Sequence, residues 1–252
     1  MELQYSRNRI YVKEEEQRLI KKTSILLAGS GLGSVIAECA LRLGFENITI
    51  VDGDEVEKSN LNRQNYEAND IGEEKVNAIK RRLLSINPKA NITVHNCFID
   101  EENVKGFIDG QDIAINALDF TTDIPLKFDK LCQEKGIPVL HPYNLGWGAL
   151  VAVITPDSLD LSFLNKKSDE TFNELKMVDY MVGYMKFWGK PQDWIEKVVN
   201  EYKKETEVLS PPQLSVGSWL SASMCTQILF NITTKKEVKK FPDLYFLSIN
   251  DN

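Results

Sequence analysis

A short apolar run, Thr23 to Ala28 ("TSILLA"), stops at "GSGLGS" and passes directly into "VIAECALRLG", whose apolar residues recur at helical spacing. Strand, tight turn, helix is the order that most restricts this chain. The turn must let the backbone reverse sharply and set a helix N-terminus, with its unpaired N–H groups, beside the end of a strand. "ENITIVD" then reads as a second strand and delivers Asp52 to its carboxyl end, about twenty residues past the turn, where open parallel sheets bind their ligands. The unit is βαβ, and it predicts a parallel sheet.

The alternation continues. "EEKVNAIKRRLLSIN" is a basic amphipathic helix stopped by Pro88, "NITVHNCFI" and "DIAINALD" are strands, and "IPLKFDKLCQEKG" is a helix ending at Gly136. "IPVLHPYN" and "GALVAVITP" add two more strands, the later ones open to antiparallel pairing. Residues 24–155 therefore predict a doubly wound, Rossmann-like α/β sheet with helices on both faces. Between 156 and 210 the pattern changes to a polar stretch and then to "YMVGYMKFWGKPQDWIEKVVNEYKKE", which is expected to be a helical insertion or lid within a single domain spanning 1–252. "PPQLSVGSWLSASMCTQILFNI" follows as a helix with small residues for close packing, and "DLYFLSIN" as a closing strand.

Composition narrows the function classes. The 252 residues are 42% hydrophobic, enough for a full core, and carry a formal charge of −7, which opposes non-specific attraction to nucleic acid or anionic membrane. Cys39, Cys97, Cys132 and Cys225 are far apart with no C-x-x-C pair, so neither a zinc knuckle nor a disulfide framework is expected. No apolar run reaches the length of a membrane span and no export signal is visible, so a soluble, cytoplasmic protein is expected.

The glycine turn holds Gly29, Gly31 and Gly33, and such a turn admits a phosphate to a helix N-terminus. Asp52 is placed to accept hydrogen bonds from ribose hydroxyls, or simply to cap its loop. "SNLNRQ" adds Asn60, Arg63 and Gln64, and Lys75 opens the next helix. Taken singly, Arg63 reads as a surface ion pair and Lys75 as a solvated helix residue. Two cations near one phosphate group suggest charge stabilisation during transfer.

The combination resembles the ThiF/MoeB/HesA family, bacterial relatives of ubiquitin-activating enzymes. Its members carry G-x-G-G-x-G, D-x-D, N-L-x-R-Q, Lys and Asp, and these read here, in order, as "AGSGLG", "DGD", "NLNRQ", Lys75 and Asp119. The resemblance covers residues 5–155 well and the "PPQLSVGSWLSASMCTQIL" helix more loosely. It implies binding of ATP with Mg2+ and transfer of AMP to a carboxylate, commonly the C-terminus of a small ubiquitin-like protein or a peptide. Carried over by position, Asp52 would hold the ribose, Gly29, Gly31 and Gly33 would form the phosphate turn, and Asn60, Arg63, Gln64 and Lys75 would contact the triphosphate. Asp119 would bind magnesium. Arg7 in "QYSRNR" matches an arginine that family dimers reach across to the partner's ATP, with Arg9 a nearby substitute, so a homodimer is implied.

The sequence also departs from the family. Ala28 and Ser30 replace turn glycines, Asn116 and Phe120 stand where Asp and Asn are usual, and the zinc-binding cysteines of many relatives are missing. The segment 156–210 contains no cysteine, and Cys225 lies in an apolar helix, which argues against a thioester step. Tyr143 and Trp147 in "HPYNLGWGA" fit either the lining of a peptide channel or the core. Two other readings stay open: an ATP-dependent enzyme of the same family acting on a modified tRNA base, and an NAD-binding oxidoreductase or inactive binding module if "NLNRQ" and Lys75 are incidental.

Overall fold

A computed structural model describes residues 2–165, 172–206 and 210–250. Its centre is a seven-stranded sheet in the order β3-β2-β1-β4-β5-β6-β7. The strands are β1 (Ser24–Ala28), β2 (Asn47–Val51), β3 (Asn91–His95), β4 (Ile113–Asn116), β5 (Val139–Asn144), β6 (Gly148–Ile154) and β7 (Leu244–Ser248). The first five are parallel, and β6 and β7 run antiparallel to their neighbours. The order reverses at β1, between β2 and β4, so the glycine turn after β1 stands at the crevice where doubly wound sheets bind ligands.

Side chains alternate between two cores because successive Cβ atoms leave a strand on opposite faces. Ile25 and Leu27 of β1, Ile113 and Ile115 of β4, and Val151 and Val153 of β6 enter one core with α1 (Glu14–Lys22), α2 (Gly31–Leu43), α3 (Lys75–Ile86) and α8 (Ser215–Thr233). Leu26, Ala28, Ala114, Leu150, Ala152 and Ile154 enter the other, with α4 (Val104–Ile108), α5 (Ile124–Glu134), α6 (Glu174–Trp188) and α7 (Asp193–Tyr202). The expected doubly wound fold with helices on both faces is therefore observed.

Three local differences have physical causes. Edge strand β3 stops at His95, short of the apolar "CFI", because the His95 carbonyl accepts the Asp52 N–H at 3.2 Å as the chain leaves the sheet. Helix α1, hidden in a stretch that reads simply as charged, is amphipathic, with Ile20 fully buried. In the 156–210 segment, α6 and α7 bury Met177, Val178, Met181 and Ile195 in the same core as β6, so these helices form a layer on the sheet. Residues 166–171 and 207–209 of that segment lie outside the described residues.

Candidate active site at the carboxyl ends of the strands

The glycine turn begins at Gly29, whose N–H donates to the Val51 carbonyl at 2.9 Å and whose φ is +91°. A Cβ there would sit 2.5 Å from the Ala117 carbonyl oxygen, so this backbone passes too close to β4's exit loop for any side chain. Ser30 follows as a buried hub. Its N–H and Oγ donate to Asp52 Oδ2 at 2.6 and 2.9 Å, while Tyr66 OH approaches Ser30 O at 2.9 Å and Oγ at 3.0 Å. The serine that replaces a turn glycine thus fastens the turn to both β2 and the 60–66 loop. Asp52 Oδ1 also accepts the Asp54 N–H at 2.8 Å, which is the loop-capping geometry.

Helix α2 starts at Gly31, and its first intrahelical bond runs from Ser34 N–H to Ser30 O at 3.1 Å. The N–H groups of Gly31, Leu32 and Gly33 precede that bond and face the turn as a set of donors for an anion. Gln64 closes over them: its Nε2 would be 3.2 Å from a Cβ on Gly31, and its Oε1 is buried without a hydrogen-bond partner among the described residues. Gly33 is buried against Leu27, at 3.6 Å from a hypothetical Cβ. The glycines therefore differ in tolerance. Gly29→Ala is expected to lose stability on the order of 1–3 kcal/mol through backbone strain, together with ATP binding, whereas Gly33→Ala should keep both. Thermal unfolding and calorimetric ATP titration of the two variants check this.

The 60–66 loop is built by its own polar side chains. Asn60, buried, accepts the Glu57 N–H at 2.9 Å, and its carbonyl accepts the N–H groups of Arg63 and Gln64. Asn65 N–H donates to Ser34 Oγ at 3.0 Å, and its amide binds Glu38, which Arg42 and Arg82 also hold. Arg63 is clamped by Gln213 Oε1 at 2.6 Å, Ser59 O at 2.8 Å and Asn62 Oδ1 at 2.9 Å. Burial lowers its guanidinium below the ordinary value, and the charge of Asp119 opposes that shift.

Lys75, the first residue of α3, is buried with Nζ 2.8 Å from Asp54 Oδ2, and its N–H donates to the Asp54 carbonyl. Asp119 lies in the 117–123 loop after β4. Desolvation raises its carboxyl above the usual range, as do Glu174, Asp54 and Asp52, while Lys75 pulls it down. Asp52, Arg63, Lys75 and Asp119 thus share one electrostatic neighbourhood at the turn. Arg7 does not join them in its own chain. Its 3-10 turn (Leu3–Asn8) docks at the far end of α2, through Asn8 to the Leu43 carbonyl and Tyr5 to Glu46. With thirteen residues in α2, about 20 Å of helix separates it from the glycine turn.

Three site residues escaped the sequence reading. Asp54 was visible as the second acid of "DGD". Glu174, which accepts the Phe120 N–H at 3.1 Å, and Gln213 come from beyond residue 155, where no motif marks them. Tyr143 is a core residue whose hydroxyl has no partner among the described residues, and Trp147 is half exposed in the β5–β6 turn. Cys225 is fully buried in α8, and desolvation pushes its thiol well up, the setting of an inert core sulfur.

The model of the ThiF family matches residues 5–246. The chain belongs to the ThiF family. It is 33% identical over 140 residues to a Bacillus subtilis tRNA threonylcarbamoyladenosine dehydratase, covering 54% of this chain and 55% of the relative. A Haemophilus influenzae molybdopterin-synthase adenylyltransferase is 30% identical over 176 residues, covering 66% and 72%. Among solved structures, that of E. coli MccB with ATP superposes with a TM-score of 0.70 at 17% identity, over 98% of this chain and 71% of that one. This ThiF-family chain spans about half the length of several curated relatives it matches.

The residues present fit a nucleoside triphosphate and a divalent cation. Unpaired helix N–H groups and an unpartnered Gln64 oxygen line the turn, and Asp119 has no hydrogen-bond or ion-pair partner among the described residues. Among those residues no group of three or more His, Cys, Asp or Glu could hold a metal unaided. Magnesium asks for less, since it takes one or two carboxylates and completes its shell with phosphate and water. No helix among the described residues is long and apolar enough to cross a membrane.

Proposed function

We propose that this chain is an ATP-dependent adenylyltransferase that activates the C-terminal carboxylate of a small ubiquitin-like protein or a peptide as an acyl-adenylate. The observation that carries this reading is that Arg63, Lys75 and Asp119 act on one another's charge in the neighbourhood of Asp52, which holds the Ser30 N–H at the start of α2. A dinucleotide site needs to hold only a diphosphate bridge and has no use for two cations and an open carboxylate beside it.

A carboxylate oxygen attacks the α-phosphorus of ATP, the bond to the bridging oxygen breaks, and pyrophosphate leaves. The acceptor is already ionised at neutral pH, so no general base is required. The work is to offset like-charge repulsion and to stabilise charge on the departing pyrophosphate. Asp52 would take the ribose in exchange for part of its present bonding, Gly31 to Gly33 N–H groups the phosphates, and Asn60 and Gln64 the loop that closes over them. Arg63 and Lys75 would meet the developing charge. Asp119 would hold Mg2+, which when bound screens the phosphate oxygens. ATP supply and the absence of any spanning helix among the described residues suit a cytoplasmic enzyme.

Pyrophosphate exchange into ATP tests the reading. Exchange should require both magnesium and a partner with a free C-terminal carboxylate, and calorimetry should give tighter binding of magnesium-ATP than of NAD. Tighter NAD binding would sink it. The 33% identical dehydratase favours a second reading, in which the acceptor sits on a modified tRNA base. Exchange stimulated by tRNA and not by a carrier protein would select that reading.

The position of Arg7, an α2 length from its own turn, supports a working homodimer in which it reaches the partner's ATP. Leu3, Ile10 and Tyr11, all exposed, lie on the same segment. Light scattering should give a dimer. Mixing Arg7→Ala with Arg63→Ala protein should restore up to about a quarter of wild-type exchange, since a mixed dimer then holds one intact site. A fully active monomer would remove the idea.

A further inference from the structure

The Asp119 side chain has no hydrogen-bond or ion-pair partner among the described residues. The residues on either side of it are fixed. Leu118 N–H donates to Asn116 Oδ1 at 3.3 Å, and Phe120 N–H to Glu174. The Phe120 ring stacks on His141 at 6.1 Å between centroids and meets Phe172 edge-on at 4.6 Å. The Asn116 and His141 contacts lead inward to the same group. Asn116 Nδ2 donates to Asp129 Oδ1 at 2.9 Å, and His141 Nε2 lies 2.8 and 2.7 Å from the two Asp129 oxygens.

Asp129 has no solvent exposure, and Asn116 and His141 have almost none. A carboxylate in such a place costs free energy unless every lone pair is engaged, and nothing in the proposed chemistry touches it. Its geometry gives it a use. Asn116 Nδ2 also donates to Pro125 O at 2.9 Å, so one amide joins the exit of β4 to the first turn of α5 and closes the 117–123 loop at its base. Asp129, one turn further along α5, holds that amide and the imidazole on β5 in fixed orientations.

We propose that Asp129, acting through Asn116 and His141, is a positioning residue that sets Asp119 for the metal-bound nucleotide. The proposal rests on the reading of Asp119 as the magnesium ligand. Groups behind a metal ligand commonly change affinity for the metal by 10- to 100-fold when removed, without touching it.

The test uses calorimetric titration of magnesium into the ATP complex, with metal-free ATP binding and thermal unfolding alongside. Asp129→Asn should raise the magnesium concentration at half-effect about tenfold, with little change in metal-free ATP binding. Asn116→Asp should do the same, since it sets two carboxylates against each other. The double variant Asn116→Asp/Asp129→Asn restores the donor–acceptor pair between the two positions but leaves Pro125 O without its donor, so it should recover part of the loss and exceed Asn116→Asp alone. In an Asp119→Asn background, Asp129→Asn should add nothing.

A fall in thermal midpoint and in metal-free binding with the magnesium half-effect unchanged would make Asp129 merely structural and overturn the proposal. Additive losses with Asp119→Asn would overturn it too. If Asp119→Asn itself leaves the magnesium response intact, the metal assignment fails, and the proposal falls with it by a different signature.

Discussion

Arg63→Ala is expected to slow pyrophosphate exchange by roughly 10²–10³-fold, or about 2.7–4 kcal/mol of transition-state stabilisation. The structure explains why the loss should be large. The guanidinium is held by three acceptors, the Gln213 and Asn62 side-chain oxygens and the Ser59 carbonyl, all engaging Nε or Nη1. Nη2 has no partner among the described residues and, in the proposed reading, is the donor offered to a phosphate oxygen. Such a donor is aimed before the reaction begins and needs no reorganisation when charge develops. Arg63→Lys should recover only part of the rate, because a single ammonium cannot span the three acceptors and keep a donor spare. Gln213→Ala is the control for the clamp. It should fall between wild type and Arg63→Ala, since it loosens the guanidinium without removing it. Exchange unchanged in Arg63→Ala would reduce "SNLNRQ" to a structural loop.

That loop also shows how far the sequence was legible. The βαβ unit, the alternation of strands and helices and the location of the glycine turn follow from periods of 2 and 3.6 and from backbone sterics, which act locally and leave their mark in consecutive residues. The 60–66 motif could be read as a cluster of phosphate-binding types. Its folded chemistry is divided: Asn60 and Asn65 build the loop, while Gln64 and Arg63 face the site.

What could not be read lies in long-range pairing. Ser30 looks like a small replacement for glycine until Asp52, 22 residues away, and Tyr66, 36 residues away, are brought to its hydroxyl. Glu174 and Gln213 enter from 54 and 150 residues beyond their partners. No local pattern encodes such contacts, because their value arises only after the sheet has brought both ends together. The 156–210 segment illustrates the same limit. Its composition suggested a helical insertion or lid; the helices are there, and what the composition did not show is that Met177, Met181 and Ile195 pack them onto the sheet and that Glu174 at the start of the first one accepts the Phe120 N–H.

Lys75→Met is expected to separate catalysis from stability. The side chain is 8% exposed, and its partner Asp54 is 50% exposed. Once the ammonium is gone, water can solvate the half-exposed Asp54, so no charge is stranded in the interior, while an apolar chain of similar length fills the buried space. The thermal midpoint should therefore change little. Catalysis should not. Lys75 pulls the Asp119 carboxyl down, against desolvation, Glu174, Asp54 and Asp52. Removing it leaves a triphosphate facing several uncompensated carboxylates, so the KM for ATP should rise and kcat fall, together costing on the order of 10²–10³ in kcat/KM. Lys75→Arg should not rescue fully, because a planar guanidinium does not reproduce the compact ammonium buried against Asp54. The comparison is made by exchange kinetics and thermal unfolding on the same preparations. A parallel fall in both would mean that Lys75 is a structural ion pair, and only a loss of exchange at constant stability leaves it in the role of countering charge during transfer.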